Sequence, residues 1–217
     1  MVNLSVIVEG GTFDPNAGDV TFSNVEALRE SLNKLLTRLL KREDISVRVD
    51  VGAGARNATK MFLKNTEDQY LYVDSDNYDT SKWFDKLNNP DPSKAIIIPA
   101  AAKEKVFFMI QEMEAWFLKQ PECLERWGKS QGYKRVKEKF EISEDNLING
   151  KDIERILKPS RILGFIVQRF FERTLPNGKN IKVKYGKLKS APAIIDELDE
   201  DALASIDREL YRFKVSF

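Results

Sequence analysis

The sequence predicts an α/β fold in which a mostly parallel sheet has helices on both faces. Three compact apolar runs, at residues 4–8, 45–51 and 70–73, have the length and composition of buried strands. A segment with helical spacing follows each of the first two runs. Alternation of strands and helices along a chain gives parallel strands joined by right-handed crossovers. The simplest order of such a sheet places the first strand beside the third.

The next elements continue this alternation. The first helix is predicted to begin at Ser23 or Asn24, either of which can cap it, and to end near Lys41. Two further apolar runs predict strands at residues 94–98 and 105–110, and a helix beginning near Glu112 follows the second of them. Residues 1–118 are therefore expected to form the α/β core.

Residues 119–217 are predicted to be mainly helical, more basic, and packed on this core. Helical spacing is present at 122–127, 133–140, 151–157, 160–174, 191–198 and 202–213. Between the fourth and fifth of these segments, Asn177 and Gly178 predict a tight turn of the kind that joins a β-hairpin. The sequence has no long linker, so we expect the two parts to pack together.

The composition of the chain limits the classes of reaction and of binding surface that it can have. The chain has 217 residues, with 35 basic and 34 acidic side chains and a formal charge of +1, so any nucleic-acid surface must be local. It contains no histidine, which excludes Ser-His-Asp and Cys-His hydrolases and zinc sites that need imidazole. A single cysteine and apolar runs too short to cross a bilayer favour a cytoplasmic protein that does not enter a membrane.

Acidic side chains follow the predicted strands, at the edge where open α/β sheets bind ligands. Glu9 follows the first strand, and Asp74 and Asp76 follow the third. Crowded carboxylates repel each other unless a cation intervenes, and Mg²⁺ or Mn²⁺ is the cation that such a site prefers. The alternative is that Asp74 and Asp76 make turn hydrogen bonds and cap the helix near Thr80.

Two more acids and several basic residues are candidates. Glu112 and Glu114 are expected near the same edge, in a first helical turn, where the macrodipole also favours acids. Arg56 follows a glycine-containing turn that imitates a dinucleotide motif without its third glycine, and it can bind a phosphate. Late lysines form either a solvated hairpin face or a strip that contacts phosphates: Lys179, Lys182, Lys184, Lys187 and Lys189.

Five short motifs, spread over most of the chain, occur together. They are Val8-Glu9-Gly10-Gly11, Gly54-Ala55-Arg56-Asn57, Val73-Asp74-Ser75-Asp76, Met113-Glu114-Ala115-Trp116-Phe117-Leu118 and Tyr185-Gly186-Lys187-Leu188-Lys189. In this combination they resemble the domain-of-unknown-function 4276 family, whose members resemble the Toprim catalytic domains of topoisomerases, primases and overcoming-lysogenization-defect nucleases. The chain departs from the family pattern at Gly186, where a histidine often stands.

The resemblance implies a Toprim-like core with a magnesium site. By this resemblance Glu9, Asp74 and Asp76 hold the metal, Glu114 is a further acidic catalytic position, and Lys187 and Lys189 form a late basic motif. Members are often encoded beside an ATPase in anti-phage defence clusters, so an ATPase partner is implied as well.

These observations support two main hypotheses. In the first, the chain is a metal-dependent nuclease for DNA or RNA, in which Glu114 completes the metal shell and Lys187 or Lys189 steadies the scissile phosphate. The residues expected on the nucleic-acid backbone are Arg56, Lys182, Lys184, Lys187 and Lys189. In the second hypothesis, it is a non-catalytic module that binds a nucleotide or metal and regulates a partner ATPase. A phosphotransferase of the primase type is less favoured, and a homo-oligomer is left open.

Overall fold

Four parallel strands form the central sheet, in the order β2-β1-β3-β4. The computed structural model describes residues 2–10, 19–88 and 96–217, with only the backbone for residues 19–23. The strands are β1 (Val2–Gly10), β2 (Ile45–Ala53), β3 (Gln69–Asp74) and β4 (Val106–Met109). Strand β1 lies between β2 and β3, so the predicted pairing of the first strand with the third is confirmed. The α/β class with a parallel sheet is confirmed with it.

Helices cover both faces of this sheet because its strands present apolar side chains on both sides. On β1, Val6 and Val8 belong to the larger apolar cluster, whereas Ile7 belongs to a smaller cluster on the opposite face. Helix α1 (Asp19–Leu40) packs in the larger cluster. Helices α2 (Ala55–Phe62) and α3 (Trp83–Leu87) pack in the smaller one. The helices expected on both faces are therefore present.

The rest of the chain is a mixture of helices and a small antiparallel sheet, ordered β5-β6-β7. Its elements are α4 (Glu114–Lys119), α5 (Pro121–Ser130), β5 (Lys134–Arg135), α6 (Pro159–Phe170), β6 (Phe171–Thr174), β7 (Asn180–Lys182), α7 (Lys187–Ile195), α8 (Glu200–Ile206) and α9 (Arg208–Val215). The larger apolar cluster joins Leu35 of α1 to Ile194 of α7, so this region packs directly on the core. Within the described ranges, no helix is both long and apolar enough to cross a bilayer.

Three of the predicted helices in this region differ from the structure. The helix predicted at 151–157 is reduced to a single 3₁₀ turn at Ile153–Arg155. The helix predicted at 133–140 is absent: residues 134–135 form β5, and Val136 and Phe140 are 39% and 40% exposed. Two half-exposed apolar side chains bury too little surface to hold a short helix. The helix predicted at 160–174 ends at Phe170, because residues 171–174 pair with β5 and β7 instead.

Other boundaries also move. Helix α1 begins at Asp19, before the predicted caps, and α4 begins at Glu114 rather than near Glu112. For the strand predicted at 94–98, residues 94 and 95 lie outside the described part, and Ile96 forms only an isolated bridge. The helix predicted at 202–213 is divided into α8 and α9 at Asp207, whose side chain accepts the N–H of Leu210 and caps α9.

The predicted hairpin turn is confirmed, but the lysines beyond it belong to two elements. Gly178 has a φ of +78° and turns the chain from β6 into β7. Lys182 ends β7, whereas Lys187 and Lys189 lie in the first turn of α7. The expected strip is therefore split between a strand and a helix.

The close approach of α2 to β2 predicts a specific steric effect at Gly52. A Cβ atom added there would lie 2.5 Å from the Cα atom of Ala58. We expect Gly52→Ala to lower the free energy of unfolding by about 1–3 kcal/mol, because the backbones must move apart. Urea unfolding measures this change.

Gly164→Ala is the matched control. A Cβ atom at this position in α6 meets nothing within 4 Å, and alanine favours a helix by up to ~1 kcal/mol over glycine. The control should therefore unfold at the wild-type midpoint or slightly above it. An unchanged midpoint for Gly52→Ala would contradict the packing described for β2 and α2.

Candidate functional site

The candidate site lies at the carboxyl edge of the sheet, where β1 and β3 end side by side. Glu9 is the penultimate residue of β1, and Asp74 is the last residue of β3. Asp76 lies in the turn after β3. Glu114 opens α4, which follows the neighbouring strand β4. The structure therefore brings all four of these predicted acids to one edge.

The turns after β3 and β4 fix the position of Asp76. Its backbone N–H donates to the carbonyl of Gln111 at 2.9 Å, and the N–H of Gln111 donates to Oγ of Ser75 at 2.7 Å. Asp76 and Gln111 have φ angles of +52° and +62°, in a region that residues other than glycine rarely adopt. Such strain is concentrated at functional sites, where the surrounding structure holds it in place.

Glu9 and Asp74 belong to opposite faces of the sheet. Glu9 continues the Ile7 side of β1, which faces the smaller apolar cluster, and Asp74 continues the Tyr72 side of β3, which faces the larger one. The two residues still meet, since the backbone N–H of Asp74 donates to Oε2 of Glu9 at 3.2 Å. The backbone of Asp74 therefore contacts the Glu9 side of the sheet, and its side chain lies on the opposite side.

On the α3 face, Lys86 balances two acids. Its ammonium donates to Oε2 of Glu9 at 3.0 Å and to the carbonyl of Asp74 at 2.6 Å, and it lies 2.8 Å from Oδ2 of Asp76. Burial lowers the pKa of Lys86, but Asp76 and Glu9 outweigh burial and leave that pKa raised. The Asp76 side chain is 50% exposed, so this half of the site opens to solvent.

On the α7 face, Lys187 and Tyr185 contact Asp74 and Glu114. The Lys187 ammonium donates to Oδ2 of Asp74 at 3.0 Å and lies 3.5 Å from Oε2 of Glu114. The Tyr185 hydroxyl donates to Oε1 of Glu114 at 2.9 Å. Burial lowers the pKa of Lys187, but the charges of Asp74 and Glu114 outweigh burial and leave that pKa raised. Burial and the nearby Glu114 raise the pKa of Tyr185 well above its ordinary value.

Burial dominates the electrostatics of this half. It raises the pKa of Asp74 to about 7, although Lys187 acts in the opposite direction and the charges of Glu114 and Glu9 add to the rise. Glu114 is fully buried, and its Oε2 atom accepts no hydrogen bond from the described residues. The 3.5 Å contact with Lys187 satisfies an ion-pair distance but is long for a hydrogen bond. A buried carboxylate oxygen of this kind calls for a further cation or donor.

The donor set fits a hard divalent cation, although its members are not gathered around one point. Carboxylate oxygens are the ligands that Mg²⁺ prefers, and the orphaned Oε2 of Glu114 is one that lacks a partner in the described structure. Yet no three acidic, histidine or cysteine side chains among the described residues form a ready metal-binding group. The opposite orientations of Glu9 and Asp74, together with the two lysine ammonium groups between the acids, explain this separation.

The alternative roles predicted for the acids are resolved by their contacts. The cap of the short helix at Thr80 is Asp79, whose side chain accepts the N–H of Ser81, so Asp74 and Asp76 do not cap it. Glu112 lines a small cavity with Asp76, but its Oε2 accepts the N–H of Ser160 at 2.8 Å, at the start of α6. This contact is the helix-start role that the sequence allowed for an acid, though on a different helix.

Three of the five predicted nucleic-acid residues, Lys182, Lys184 and Lys189, line one cavity, whereas Arg56 and Lys187 lie elsewhere. Arg56 is exposed near the start of α2, beyond the carboxyl end of β2 and hence at the same sheet edge as the acids. Lys182 forms an ion pair with Glu172 at 3.1 Å. Lys184 and Lys189 are exposed and line a separate cavity beside the site. The structure brings Lys187 to the acids but none of these four.

Sequence analysis missed Lys86 and Tyr185. Lys86 lies in α3, in a stretch without a motif, and only the paired strand ends bring it to Glu9. Tyr185 had a detectable signal, since it opens the motif that also contains Lys187. A buried aromatic hydroxyl beside a buried acid requires tertiary contacts that no local pattern reveals.

Comparison with known proteins adds no assignment. No family model, curated protein or solved structure matches the chain significantly. The chemistry of this edge therefore rests on its own residues and their contacts.

The raised pKa of Asp74 predicts a pH-dependent stability. Between about pH 4 and pH 7 the folded protein holds a proton on Asp74 that the unfolded chain has released, because the pKa rises from 3.8 to about 7 on folding. The contribution of Asp74 to stability is therefore fully present below pH 4 and is lost as pH rises to about 7, by up to ~1.4 kcal/mol per pH unit.

Asp74→Asn removes this titration. In chelator, wild type should lose stability between pH 5 and pH 7 and the variant should not. The free energy of unfolding of the variant, relative to that of wild type, should therefore rise by more than about 1 kcal/mol over this range. Urea unfolding at several pH values measures the difference. Asp85→Asn, which removes an exposed acid from α3, is the control and should keep a constant difference from wild type. A constant difference for Asp74→Asn would contradict the raised pKa.

Proposed function

We propose that this chain is a metal-dependent nuclease with a Toprim-like core, which cleaves phosphodiester bonds of DNA or RNA. One observation carries the proposal: buried Asp74 lies at the ligand-binding edge of a parallel sheet and contacts charged residues on both faces. Its backbone hydrogen-bonds Glu9 and Lys86 on one face, and its side chain accepts from Lys187 on the other. A buried acid with a raised pKa among charged partners at such an edge is typical of a functional site. The resemblance of the motifs supports the Toprim assignment and the choice of substrate.

The same resemblance supports a cellular role. We propose that the chain is the effector subunit of an anti-phage defence system and works with a neighbouring ATPase in the cytoplasm. Two apolar side chains at the rim of the site are exposed. Tyr78, two residues after Asp76, is 49% exposed, and Leu157, next to Lys158, is 76% exposed. Apolar side chains at such a rim are available to a partner subunit.

Glu9, Asp74 and Asp76 are the residues that would hold magnesium or manganese. A bound divalent cation supplies Lewis acidity to the phosphoryl group. Lys86 supports this assignment, because a positive charge already lies 3.0 Å from Glu9 and 2.8 Å from Asp76. These two carboxylates are therefore arranged around a cation in the fold itself.

Lys187 is the residue best placed to bind the scissile phosphate. It reaches the acids from the start of α7, its side chain is 37% exposed, and a lysine ammonium can turn from a carboxylate towards a phosphate. Glu114 and Tyr185 are positioning residues: the buried Glu114 carboxylate holds the Tyr185 hydroxyl at 2.9 Å and faces Lys187. Arg56, at the same sheet edge, would contact a backbone phosphate further along the strand.

A cleavage assay tests the nuclease proposal. The purified protein, alone and with its neighbouring ATPase, is incubated with plasmid, single-stranded DNA and transfer RNA in the presence of magnesium or manganese. We expect cleavage that chelator abolishes and that falls by about 100-fold or more in Glu9→Gln and in Asp74→Asn, because each change removes an oxygen that holds the metal.

Asp85→Asn is the matched control for this assay. It removes one acid from α3, next to Lys86, but its side chain is exposed and lies outside the acid cluster. Its cleavage rate should equal that of wild type. Cleavage that persists in Glu9→Gln, or in chelator, would contradict the proposed site.

A non-catalytic module is the second candidate, and one observation favours it. Lys86 and Lys187 already balance Glu9, Asp76, Asp74 and Glu114, so the edge is neutralised in part without any metal. In this alternative the crevice binds a nucleotide and regulates a partner ATPase. Tight binding to the ATPase without cleavage of any substrate would support it.

Melting with and without magnesium separates a metal site from one neutralised by lysines alone. If Glu9 and Asp76 hold a metal, saturating magnesium should stabilise wild type by about 2.7 kcal/mol at a hundredfold its dissociation constant. Lys86→Gln should melt below wild type in chelator and recover in magnesium, because a metal replaces the missing cation. Lys82→Gln, at an exposed lysine just before α3, is the control and should follow wild type. Indifference of all three proteins to magnesium would contradict the metal site.

A further inference from the structure

A cavity of about 470 Å³ lies beside the acid site, and we name it the basic cavity. It is bounded by the β6–β7 hairpin, the end of α5 and the start of α7. Its apolar wall consists of Trp127, Tyr133, Ile181 and Val183. Trp127 and Val183 are buried, whereas Tyr133 and Ile181 are partly exposed to the cavity side. Tyr133 is held against Trp127 by an edge-to-face contact with ring centres 5.3 Å apart.

Positive charge surrounds this apolar wall. Arg173, Lys182, Lys184 and Lys189 line the cavity, and all four are exposed. Lys182 forms an ion pair with Glu172, but Arg173, Lys184 and Lys189 form none with the residues that the structure describes. The described lining of the cavity contains no acid. In a chain with a formal charge of only +1, this local concentration of cations favours an anionic ligand.

The basic cavity adjoins the acid site through one short segment. Tyr185 and Gly186 line the cavity, and the hydroxyl of Tyr185 donates to Glu114 inside the acid site. The next residue, Lys187, donates to Asp74. The cavity and the acid site are therefore neighbours that share the segment from Tyr185 to Lys187.

We propose that the basic cavity binds one unpaired nucleotide of the substrate strand, so that the protein acts on single-stranded nucleic acid. Its phosphates contact Arg173, Lys184 and Lys189, and its base packs against Tyr133 and Ile181. A nucleotide has both the anionic part and the flat apolar part that this lining accommodates. A paired base is stacked within its duplex and enters such a cavity only after flipping out, at a cost of a few kcal/mol. The adjacency to the acids gives the cavity a role in cleavage only if the proposed nuclease function holds.

Binding in chelator tests this proposal without any cleavage. Fluorescence anisotropy compares a labelled single-stranded 12-mer with a hairpin duplex of the same sequence. We expect the single strand to bind at least tenfold more tightly. In the triple variant Arg173→Gln, Lys184→Gln, Lys189→Gln, the slope of log affinity against log salt for the single strand should flatten by about two units.

The matched control carries Lys64→Gln, Lys139→Gln and Lys151→Gln, three exposed lysines that do not line the cavity. It loses the same charge and should change the slope by less than half as much. Equal affinity for duplex and single strand, or equal slopes for the two triple variants, would overturn the proposal. A nucleoside monophosphate that competes at the same concentration as the 12-mer would also overturn it, because the ligand would then be a free nucleotide.

The outcomes for the cavity and for the nuclease are distinguishable. Selective single-strand binding without cleavage in magnesium would contradict the nuclease and leave the cavity assignment standing. Cleavage with equal binding of duplex and single strand would contradict the cavity assignment alone. Tyr133→Leu adds an independent check, since loss of base stacking should weaken single-strand binding by about fivefold or more and leave the salt slope unchanged.

Discussion

The burial of Asp74 at the end of β3 is the constraint on which the rest of the site depends. Its backbone N–H and carbonyl contact Glu9 and Lys86 on one face of the sheet, and its carboxylate contacts Lys187 and the N–H of Met113 on the other. A charge buried in this way is costly unless partners surround it. The fold supplies those partners from α3, the start of α4 and α7, which come from distant parts of the chain.

Two lysines give the edge its character. Lys86 lies close to Glu9 and Asp76, and Lys187 lies close to Asp74 and Glu114. The ammonium groups therefore offset the repulsion between the carboxylates. The arrangement has a consequence for any ligand. If the proposed function holds, a metal would compete with Lys86 and a phosphate would draw Lys187 away from Asp74, so that the two binding events would be coupled through the same four carboxylates.

The sequence predicted the four strands of the main sheet, the pairing of the first with the third and the meeting of Glu9 with Asp74, because short apolar runs and the ends of neighbouring parallel strands are local and topological features. It did not predict that Glu9 and Asp74 belong to opposite faces, although strict alternation along β1 and β3 contained that information. Lys86 was missed because its role depends on how α3 packs. The lysine strip is divided between two elements, because the chain changes from strand to helix between Lys182 and Lys187, but Lys182, Lys184 and Lys189 still line one cavity.

The most direct test of the central claim is a crystal soaked with saturating Mn²⁺, with anomalous diffraction used to locate the ion. The account predicts an anomalous peak bonded to carboxylate oxygens of Glu9, Asp74 or Asp76 at the sheet edge, with the Lys86 ammonium moved away from Glu9. The claim would be contradicted if no anomalous peak appeared at this edge and the lysine contacts of Glu9, Asp74 and Asp76 were unchanged.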